Sequence, residues 1–541
     1  MASEAPVEAP VEATEQLRAQ LRDRGYLTHG IERWFALDPW SSRAFWIELT
    51  IVAAKAAALI ALFAALPPVA IMLVRNHPLT AGETLLMTLL YGATAFVVGL
   101  AFIVVVALIM KLRPELAIDT PRALLAISFL ASAILAVPLA LWWSHFDAPP
   151  SLPELAIGGA LAVIFFVIST IVISAALLSF SVYELQRVPA IHQKPRTLPM
   201  TIAAAVLIAL LFIPAYAAQE KGAAVAPLQV VTTPTTGKIA LIAVDGLTYD
   251  IFESRPALAN TFTHVTAAQP MPGESATERW ASAGTGVPPR IHGVRAIEGL
   301  RFAGGPHVIQ SLSRDDVVLH TIAPALHAGR REPLPPTVRR RDYIWEIVAA
   351  RGVPSVAVNW WTTESLRAGA LDSIGQESIF AAAHGDAVRV DEEASRRLLV
   401  SIRRDSPRFA TVYLPALDVV LNRLPLDPSA RLAASVRALD GIEATVSALA
   451  KAGYEVVVVG LPGDRQHGNA VIASTAAFPT TQVYGVAPSL LHALGFPPSS
   501  EMPAATDATR IATYGTRHAD SSSMKVDQEY YENLKSLGYI R

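Results

Sequence analysis

The chain has 541 residues, a formal net charge of −2, a pI of about 6.7 and no cysteine. A near-neutral charge gives no field that would attract nucleic acid, and the lack of cysteine excludes disulfides, thiolate metal sites and cysteine nucleophiles. Hydrophobic residues make up 52% of the chain and charged residues only 17%, with a mean hydropathy of +0.39. This composition predicts an integral membrane protein.

Residues 1–44 are predicted to form a cytoplasmic N-terminal arm. The first residues, MASEAPVEAPVEATEQ, carry acidic side chains and prolines where a cleaved signal peptide has a basic stretch. We therefore expect the arm to precede a membrane region rather than to be removed.

Five apolar stretches follow between residues 45 and 218, each long enough to cross a membrane as a helix. A spanning helix needs about 20 apolar residues, because the hydrocarbon offers no partner for backbone polar groups. The spans contain no acidic pair and no histidine, which favours an anchor; a transporting or lipid-handling core, with the outer domain as its lid, is the alternative. The predicted spans are Thr50–Val74, Leu85–Met110, Ala123–Trp143, Leu155–Phe180 and Leu198–Ala218.

The basic residues around these spans predict their orientation. Lysine and arginine concentrate before the first span, between the second and third, and between the fourth and fifth, whereas the first break has only Arg75 and the third has none. Basic flanks stay in the cytoplasm. We therefore expect a multi-pass protein of the inner (cytoplasmic) membrane, with a cytoplasmic N-terminus and an extracytoplasmic C-terminal domain.

After a linker at residues 219–237, the pattern changes to that of an α/β domain over residues 238–541. Short apolar runs alternate with longer amphipathic segments, which is typical of a mostly parallel sheet covered by helices. Ligands bind at the carboxyl ends of such strands, where Asp245 stands as a metal ligand or as a helix cap. The predicted strands are Ile239–Val244, Ser355–Asn359, Phe409–Tyr413 and Glu455–Val459, and the predicted helices are Tyr343–Arg351, Asp391–Arg404, Arg431–Ala450, Ala487–Leu494 and Gln528–Leu537.

Six segments of this domain resemble, in this order, the type I phosphodiesterase branch of the alkaline phosphatase superfamily. They are LIAVDGLTYD, SATERWASAGTGVPPRIHGV, DYIWEIVAARGVPSVAVNWWTTE, TVYLPALDVVLNR, VYGVAPSLLHALGFPPSSEM and ENLKSLGYI. The resemblance covers nearly all of residues 238–541 and none of the membrane region. It implies an alkaline-phosphatase-like fold in which two zinc-like cations clamp a phosphate or sulfate ester and a Ser or Thr nucleophile takes the phosphoryl group.

Several positions that the resemblance marks as chemical are substituted. Asp245 matches the first metal ligand, but the nucleophile position falls on Ala276, whose methyl group cannot attack phosphorus. Its neighbours Ser275 and Thr277 would serve only if the loop were shifted by one residue. Asp418 matches a second ligand, whereas the paired histidine of the family is Asn422 here, a poor zinc ligand.

The remaining ligand positions are also depleted. The family's Ser-Asp-His-Gly element is matched by Gly460-Leu461-Pro462-Gly463, so apolar residues replace two ligands. The last ligand is matched by His467, which is equally read as a surface histidine, and Asp464 is a possible displaced ligand. The resemblance thus implies Asp245, Asp418 and His467 as residual ligands, and neither metal position reaches three strong ones.

The loss of metal ligands and of the nucleophile leaves two possible functions. The first is a degenerate pseudoenzyme domain without a cofactor, which acts as a binding or scaffolding module for an anionic envelope ligand or a protein partner. Phosphoester hydrolysis needs a barrier reduction on the order of 20 kcal/mol, which a cleft without nucleophile and cations does not supply. The alternative is an active Zn- or Mn-dependent phosphodiesterase or phosphotransferase on envelope or lipid-linked phosphoesters, with Thr277 or Ser275 as nucleophile.

Overall fold

The computed structural model describes residues 43–76, 79–112, 121–144, 152–183, 237–269, 276–311, 316–463, 466–503, 509–517 and 528–539, with four isolated residues near the N-terminus. Clustering of the backbone divides the chain into two compact units. One is built from the apolar N-terminal region, and the other contains residues 219–541.

Long apolar helices form the described part of the N-terminal unit. They are α1 (Arg43–Arg75), α2 (Ala81–Leu112), α3 (Pro121–Ser144) and α4 (Leu152–Tyr183). Each contains a stretch long and apolar enough to cross a membrane: Thr50–Leu73, Ala81–Val106, Leu125–Trp143 and Gly158–Leu177. These stretches coincide with the first four predicted spans. The fifth, Leu198–Ala218, lies outside the described residues, as does the linker up to residue 236.

Two local features of this unit are a close helix contact at Gly158 and a helix cap at the start of α2. A Cβ on Gly158 would lie 2.0 Å from Cη2 of Trp143 and 3.0 Å from Cδ1 of Ile71, so glycine is needed where α4 meets the indole. At the start of α2, the Thr80 amide donates to Oε2 of Glu83 at 2.8 Å and the Glu83 amide donates to Oγ1 of Thr80 at 3.2 Å. This capping box satisfies amides that a helix start leaves unpaired.

The strands of the C-terminal unit form two sheets. Among the described residues, one sheet has the order β2-β11-β10-β1-β9-β6-β8-β7 and a smaller one the order β4-β3-β5. The strands are β1 (Lys238–Asp245), β2 (His264–Ala268), β3 (Glu298–Phe302), β4 (Val308–Ile309), β5 (Gly329–Pro333), β6 (Ser355–Val358), β7 (Leu366–Ala368), β8 (Leu371–Ile374), β9 (Phe409–Leu414), β10 (Tyr454–Leu461) and β11 (Ala470–Ser474).

The centre of the large sheet is parallel. Strand β1 pairs in parallel with β9 and β10, and β6 pairs in parallel with β8 and β9. The antiparallel pairs lie towards the edges, where β11 joins β10 to β2 and β7 joins β8. The central strands are continuous apolar runs because both of their faces are covered. The prediction of a mostly parallel sheet is confirmed.

Helices cover this sheet, and the five predicted ones are present with shifted ends. The largest shift is in α12, which begins at Ala387 rather than Asp391, because the Asp386 side chain accepts hydrogen bonds from the amides of Val388 and Arg389 and caps the helix. The helices are α5 (Tyr249–Glu253), α6 (Pro256–Ala259), α7 (Ala276–Thr285), α8 (Pro289–His292), α9 (Ala323–Ala325), α10 (Ile344–Ala349), α11 (Gln376–Ala383), α12 (Ala387–Asp405), α13 (Ala416–Asp418), α14 (Pro428–Lys451), α15 (Val486–Ala493) and α16 (Gln528–Ser536).

The parallel register brings the ends of the central strands to one edge of the sheet. Asp245, the last residue of β1, lies opposite Leu461 of β10, and Val244 lies opposite Leu414 of β9. The segments that follow these strands therefore meet beyond the same edge. Asp418 belongs to one of them.

Candidate functional site

Asp245 is fully buried at the end of β1 and has a tyrosine as its neighbour. The Tyr413 hydroxyl donates a hydrogen bond to Oδ2 of Asp245 at 3.1 Å. Burial raises the pKa of Tyr413 well above its ordinary value, and the negative charge of Asp245 raises it further. The phenol therefore stays protonated and acts as a donor to the carboxylate.

Gly246 brings the end of β1 against the turn that carries Asp418. Its φ of +84° lies in the left-handed region that favours glycine, and a Cβ there would lie 2.4 Å from the Asp418 nitrogen. Two of the residues that the resemblance marked, Asp245 and Asp418, therefore stand on adjoining backbone segments.

The carboxylate of Asp418 is held by two donors from the following turn. Nδ2 of Asn422 donates to Oδ1 at 2.8 Å, and Nε of Arg423 donates to Oδ2 at 2.6 Å. The Asp418 side chain is fully buried and that of Arg423 is 11% exposed. The Arg423 guanidinium also lies 4.5 Å from the centre of the Tyr539 ring, a cation–π distance. A cation of the protein itself thus neutralises this buried acid.

The wide turn Val419–Arg423 explains the double contact, because π-helical spacing brings both Asn422 and Arg423 back over Asp418. Sequence reasoning identified Asn422 as a poor metal ligand but missed Arg423. The signal was present in the segment LDVVLNR, where a basic residue follows the acid by little more than one helical turn.

Gly463 closes the other side of Asp418. A Cβ on Gly463 would lie 1.7 Å from Oδ1 of Asp418 and 2.8 Å from Nδ2 of Asn422. The neighbouring Leu461 and Pro462, which stand where the family has ligands, are buried. Backbone and apolar side chains therefore fill this part of the edge.

Thr277, one of the two nucleophile candidates, lies in the first turn of α7. Ala276 is fully buried and Thr277 is 1% exposed. Among the described residues, Oγ1 of Thr277 has no hydrogen-bond partner. Ser275 and Asp464 lie outside the described residues, so the choice between Ser275 and Thr277 stays a prediction.

Comparison with known families supports the resemblance. Residues 239–463 match the family model of type I phosphodiesterase / nucleotide pyrophosphatase. The matched segment lies within the C-terminal unit. The match confirms the prediction made from the sequence segments, and the C-terminal unit is called the phosphodiesterase-family domain from here on.

Solved structures of the superfamily are also similar. Phosphonoacetate hydrolase from Sinorhizobium meliloti 1021 is 14% identical with a TM-score of 0.30, and the match covers 44% of this chain and 60% of that one. Human ectonucleotide pyrophosphatase / phosphodiesterase 5 is 15% identical with a TM-score of 0.28, covering 41% and 56%.

A membrane protein is among the similar structures. The integral membrane lipooligosaccharide phosphoethanolamine transferase A from Neisseria meningitidis is 10% identical with a TM-score of 0.30, covering 83% of this chain and 96% of that one. The comparison with curated proteins gave no match.

The residues of the phosphodiesterase-family domain do not fit the metal pair that the family implies. The part of the chain that the structure describes contains no group of three or more His, Asp or Glu side chains that would hold a metal ion. Both oxygens of Asp418 already accept hydrogen bonds, and a guanidinium beside them repels a second cation. His467 is exposed on its loop. The assignment of Asp245, Asp418 and His467 as residual ligands stays a prediction.

Asp391 is a further buried acid at this edge. Each of its carboxylate oxygens lies 3.2 Å from the Ala416 nitrogen, which donates to them. Burial raises the pKa of Asp391 well above its ordinary value, and the charge of Asp245 adds to this. The acid ties α12 to the turn that leads into Asp418. Its sequence signal was weak because it stands within an ordinary amphipathic helix.

A buried serine–histidine contact in the same domain is structural. The Val294 amide donates to Nδ1 of His292 at 3.1 Å, so the proton of a neutral ring sits on Nε2, which lies 2.9 Å from Oγ of Ser282. Burial lowers the pKa of His292 well below its ordinary value, helped by nearby arginines such as Arg295. An imidazole that donates to the serine does not take its proton.

Aromatic rings fill the space beside Asp245. The Tyr413 ring lies 5.5 Å from Trp280 and 6.1 Å from Trp360, while Trp361 lies 5.4 Å from Tyr539. Such edge-on and tilted ring contacts stabilise a packed layer. The tryptophan pair after β6 is therefore part of the packing next to the candidate site.

Proposed function

We propose that this chain is a membrane-anchored binding or scaffolding protein whose phosphodiesterase-family domain no longer hydrolyses phosphoesters with a metal pair. One observation carries the proposal: the buried Asp418 carboxylate is hydrogen-bonded by Asn422 and Arg423 and covered by Gly463. The cleft is occupied by its own chain at the point where the family needs a cation.

The energy of the ion pair between Asp418 and Arg423 favours keeping the arginine in place over binding a metal ion. A metal ion at Asp418 would have to displace Arg423 from an almost fully buried ion pair, and breaking such a pair costs about 3–5 kcal/mol. A zinc ion repays such a cost when three or four strong ligands surround it. The nucleophile is missing as well as the metal ligands, because Ala276 leaves the nucleophile position without a hydroxyl.

The proposed location follows from the membrane helices and the basic flanks. Four of the described helices are suited to a membrane and precede the domain, and the lysines and arginines of the sequence alternate between the flanks of the five predicted spans. We propose an inner-membrane anchor with a cytoplasmic N-terminus and the domain outside. The domain would hold an envelope ligand or a protein partner at the former substrate cleft or its rim.

Metal content and turnover test this function together. The full-length protein, purified in detergent and incubated with excess Zn or Mn, is dialysed and then assayed for bound metal by mass spectrometry and for hydrolysis of bis(p-nitrophenyl) phosphate. We expect no stoichiometric metal and hydrolysis at the rate of buffer. Two metal equivalents with turnover would contradict the proposal.

One observation favours the second candidate, an active phosphotransferase or phosphodiesterase that uses Thr277. Its hydroxyl is buried and, among the described residues, has no hydrogen-bond partner. If this candidate holds, Thr277→Ala abolishes turnover while Thr277→Ser retains it. Thr445→Ala is the matched control, since Thr445 is a buried helical threonine that bonds Ser395 and the Gly441 carbonyl.

A further inference from the structure

The last described segment of the phosphodiesterase-family domain, residues 528–539, contacts the candidate site and is called the C-terminal clamp below. It consists of α16 and the turn that follows this helix. At the end of the turn, the Tyr539 ring lies 4.5 Å from the Arg423 guanidinium. Nη1 of Arg423 also donates to the Gly538 carbonyl at 3.5 Å. The clamp therefore holds the arginine that neutralises Asp418.

A glycine turn directs Tyr539 back towards Arg423. The Gly538 amide donates to the Lys535 carbonyl at 3.0 Å, and the Tyr539 amide donates to the Leu534 carbonyl at 3.0 Å, which ends the helix. The φ of Gly538 is +73°, and a Cβ there would lie 3.2 Å from Cβ of Arg423. Any other residue at this position strains the backbone and crowds the arginine.

The clamp is anchored more weakly than the sheet. Its buried side chains are Leu534, Leu537 and Tyr539, and its other residues are partly or fully exposed. In β10, by contrast, every residue except Glu455 is buried. Helix α16 has nine residues, which is too few for a helix to be stable by itself. These features are typical of a segment that opens at a lower free energy than the core.

Two tyrosines give the closed clamp a defined position. The Tyr530 hydroxyl donates to Oε1 of Gln376 at 2.7 Å, and its ring packs edge-on against Phe380 at 5.6 Å. The Tyr531 hydroxyl donates to Oε2 of Glu298 at 3.2 Å. Directional bonds of this kind return a segment to the same place each time it closes.

We propose that the C-terminal clamp is a releasable cover that controls access to Arg423 in the former substrate cleft. While the clamp is closed, the Arg423 side chain is only 11% exposed and stays on Asp418. When the clamp opens, the guanidinium loses the Tyr539 ring and the Gly538 carbonyl and becomes accessible to an anionic ligand. The inference rests on the proposed binding function and names its regulation.

The absence of cysteine from the chain allows opening to be measured directly. Leu537→Cys places one thiol beneath the clamp, and Leu490→Cys places one in α15; both leucines are buried. In the full-length protein in detergent, N-ethylmaleimide should alkylate the clamp thiol at least about ten-fold faster than the core thiol, because the clamp opens without the sheet. Equal rates would overturn the inference, since the clamp would then open only when the domain unfolds.

A second measurement follows Arg423 itself. Phenylglyoxal modifies accessible guanidinium groups, and peptide mass spectrometry locates the adduct. Gly538→Ala should raise the rate of modification at Arg423 about five-fold or more, because a left-handed turn disfavours alanine. Gly304→Ala is the matched control and should leave this rate unchanged, since Gly304 has a φ of +76° and open space around it. An unchanged rate in Gly538→Ala, or an equal rise in both variants, contradicts the proposal.

Combining the two measurements separates opening of the clamp from local crowding. Gly538→Ala should also speed the alkylation of Leu537→Cys; a rise at Arg423 without a rise at the thiol would refute opening as the cause. Neither measurement involves metal or turnover. Metal-dependent phosphodiester hydrolysis would instead overturn the proposed function and leave both labelling results unchanged, so the two failures are distinguishable.

Discussion

Replacement of Arg423 by methionine tests whether this arginine is the cation of the former metal cleft. The variant keeps the apolar stem but leaves the buried Asp418 carboxylate without its positive partner. Breaking a buried pair costs about 3–5 kcal/mol, and loss of the cation–π contact with Tyr539 adds about 0.5–1 kcal/mol. We expect the free energy of unfolding to fall by about 4 kcal/mol, measured by urea denaturation of the full-length protein in detergent and followed by near-UV circular dichroism.

Two further variants make this test specific. Arg437→Met removes an exposed pair with Glu392, whose side chains are 55% and 51% exposed, and should cost less than about 1 kcal/mol. Asp418→Asn combined with Arg423→Met should cost less than the sum of the single changes, because the uncompensated charge is removed. If Arg423→Met costs no more than Arg437→Met, the internal-cation argument is refuted.

Three predictions concern other buried groups of the domain. Gly463→Ala should cost about 2 kcal/mol or more, because its Cβ would collide with Asp418, whereas Gly441→Ala, in open space on a helix, should gain about 0.5–1 kcal/mol. The lowered pKa of His292 gives stability that is present above the ordinary pKa and is lost as pH falls, so unfolding free energy should drop by about 1.4 kcal/mol per unit below pH 6.5. The raised pKa of Asp391 has the opposite effect, because the native state then loses stability as pH rises. Asp391→Asn should therefore become more stable than wild type as pH rises above about 4, by up to about 1.4 kcal/mol per pH unit.

Each of these has a measurement that decides it. Urea midpoints of the two glycine variants should move in opposite directions, and equal shifts would refute the steric argument at Gly463. The pH dependence of unfolding should flatten below pH 6.5 in His292→Gln; an unchanged slope would show that this ring does not carry it. For Asp391→Asn, a stability difference from wild type that stays constant between pH 5 and 8 would contradict the buried-acid assignment.

The sequence predicted the central strands and the membrane helices because their signals are local. Strand β1 is a continuous apolar run, and a membrane span is defined by its own composition. Strand β7 escaped prediction because its three residues, Leu366–Ala368, are all exposed on an edge and carry no apolar pattern. Edge strands of this kind form through pairing with a neighbour rather than through burial of their own side chains.

The sequence predicted that Asp245 follows the first strand of the domain, but it did not predict the contacts of the candidate site. The structure brings Asp245 and Asp418 to one edge of the sheet, and their role as ligands stays a prediction. The pair of Asp418 with Arg423 depends on a π-helical turn, which no residue pattern marks. The bond from Tyr413 to Asp245 and the bond from Ala416 to Asp391 join segments far apart in the chain, and such contacts emerge only from the assembled sheet.

The pairing of β1 has a consequence for how the protein matures. This strand is the first of the domain to be made, yet Ile239 pairs with Phe409 and Lys238 pairs with Tyr454, which are made much later. Contacts between such distant parts of a chain slow folding, and an unpaired apolar strand is prone to aggregate while it waits. During synthesis, the β1 segment therefore stays without its two neighbours until β9 and β10 have been made.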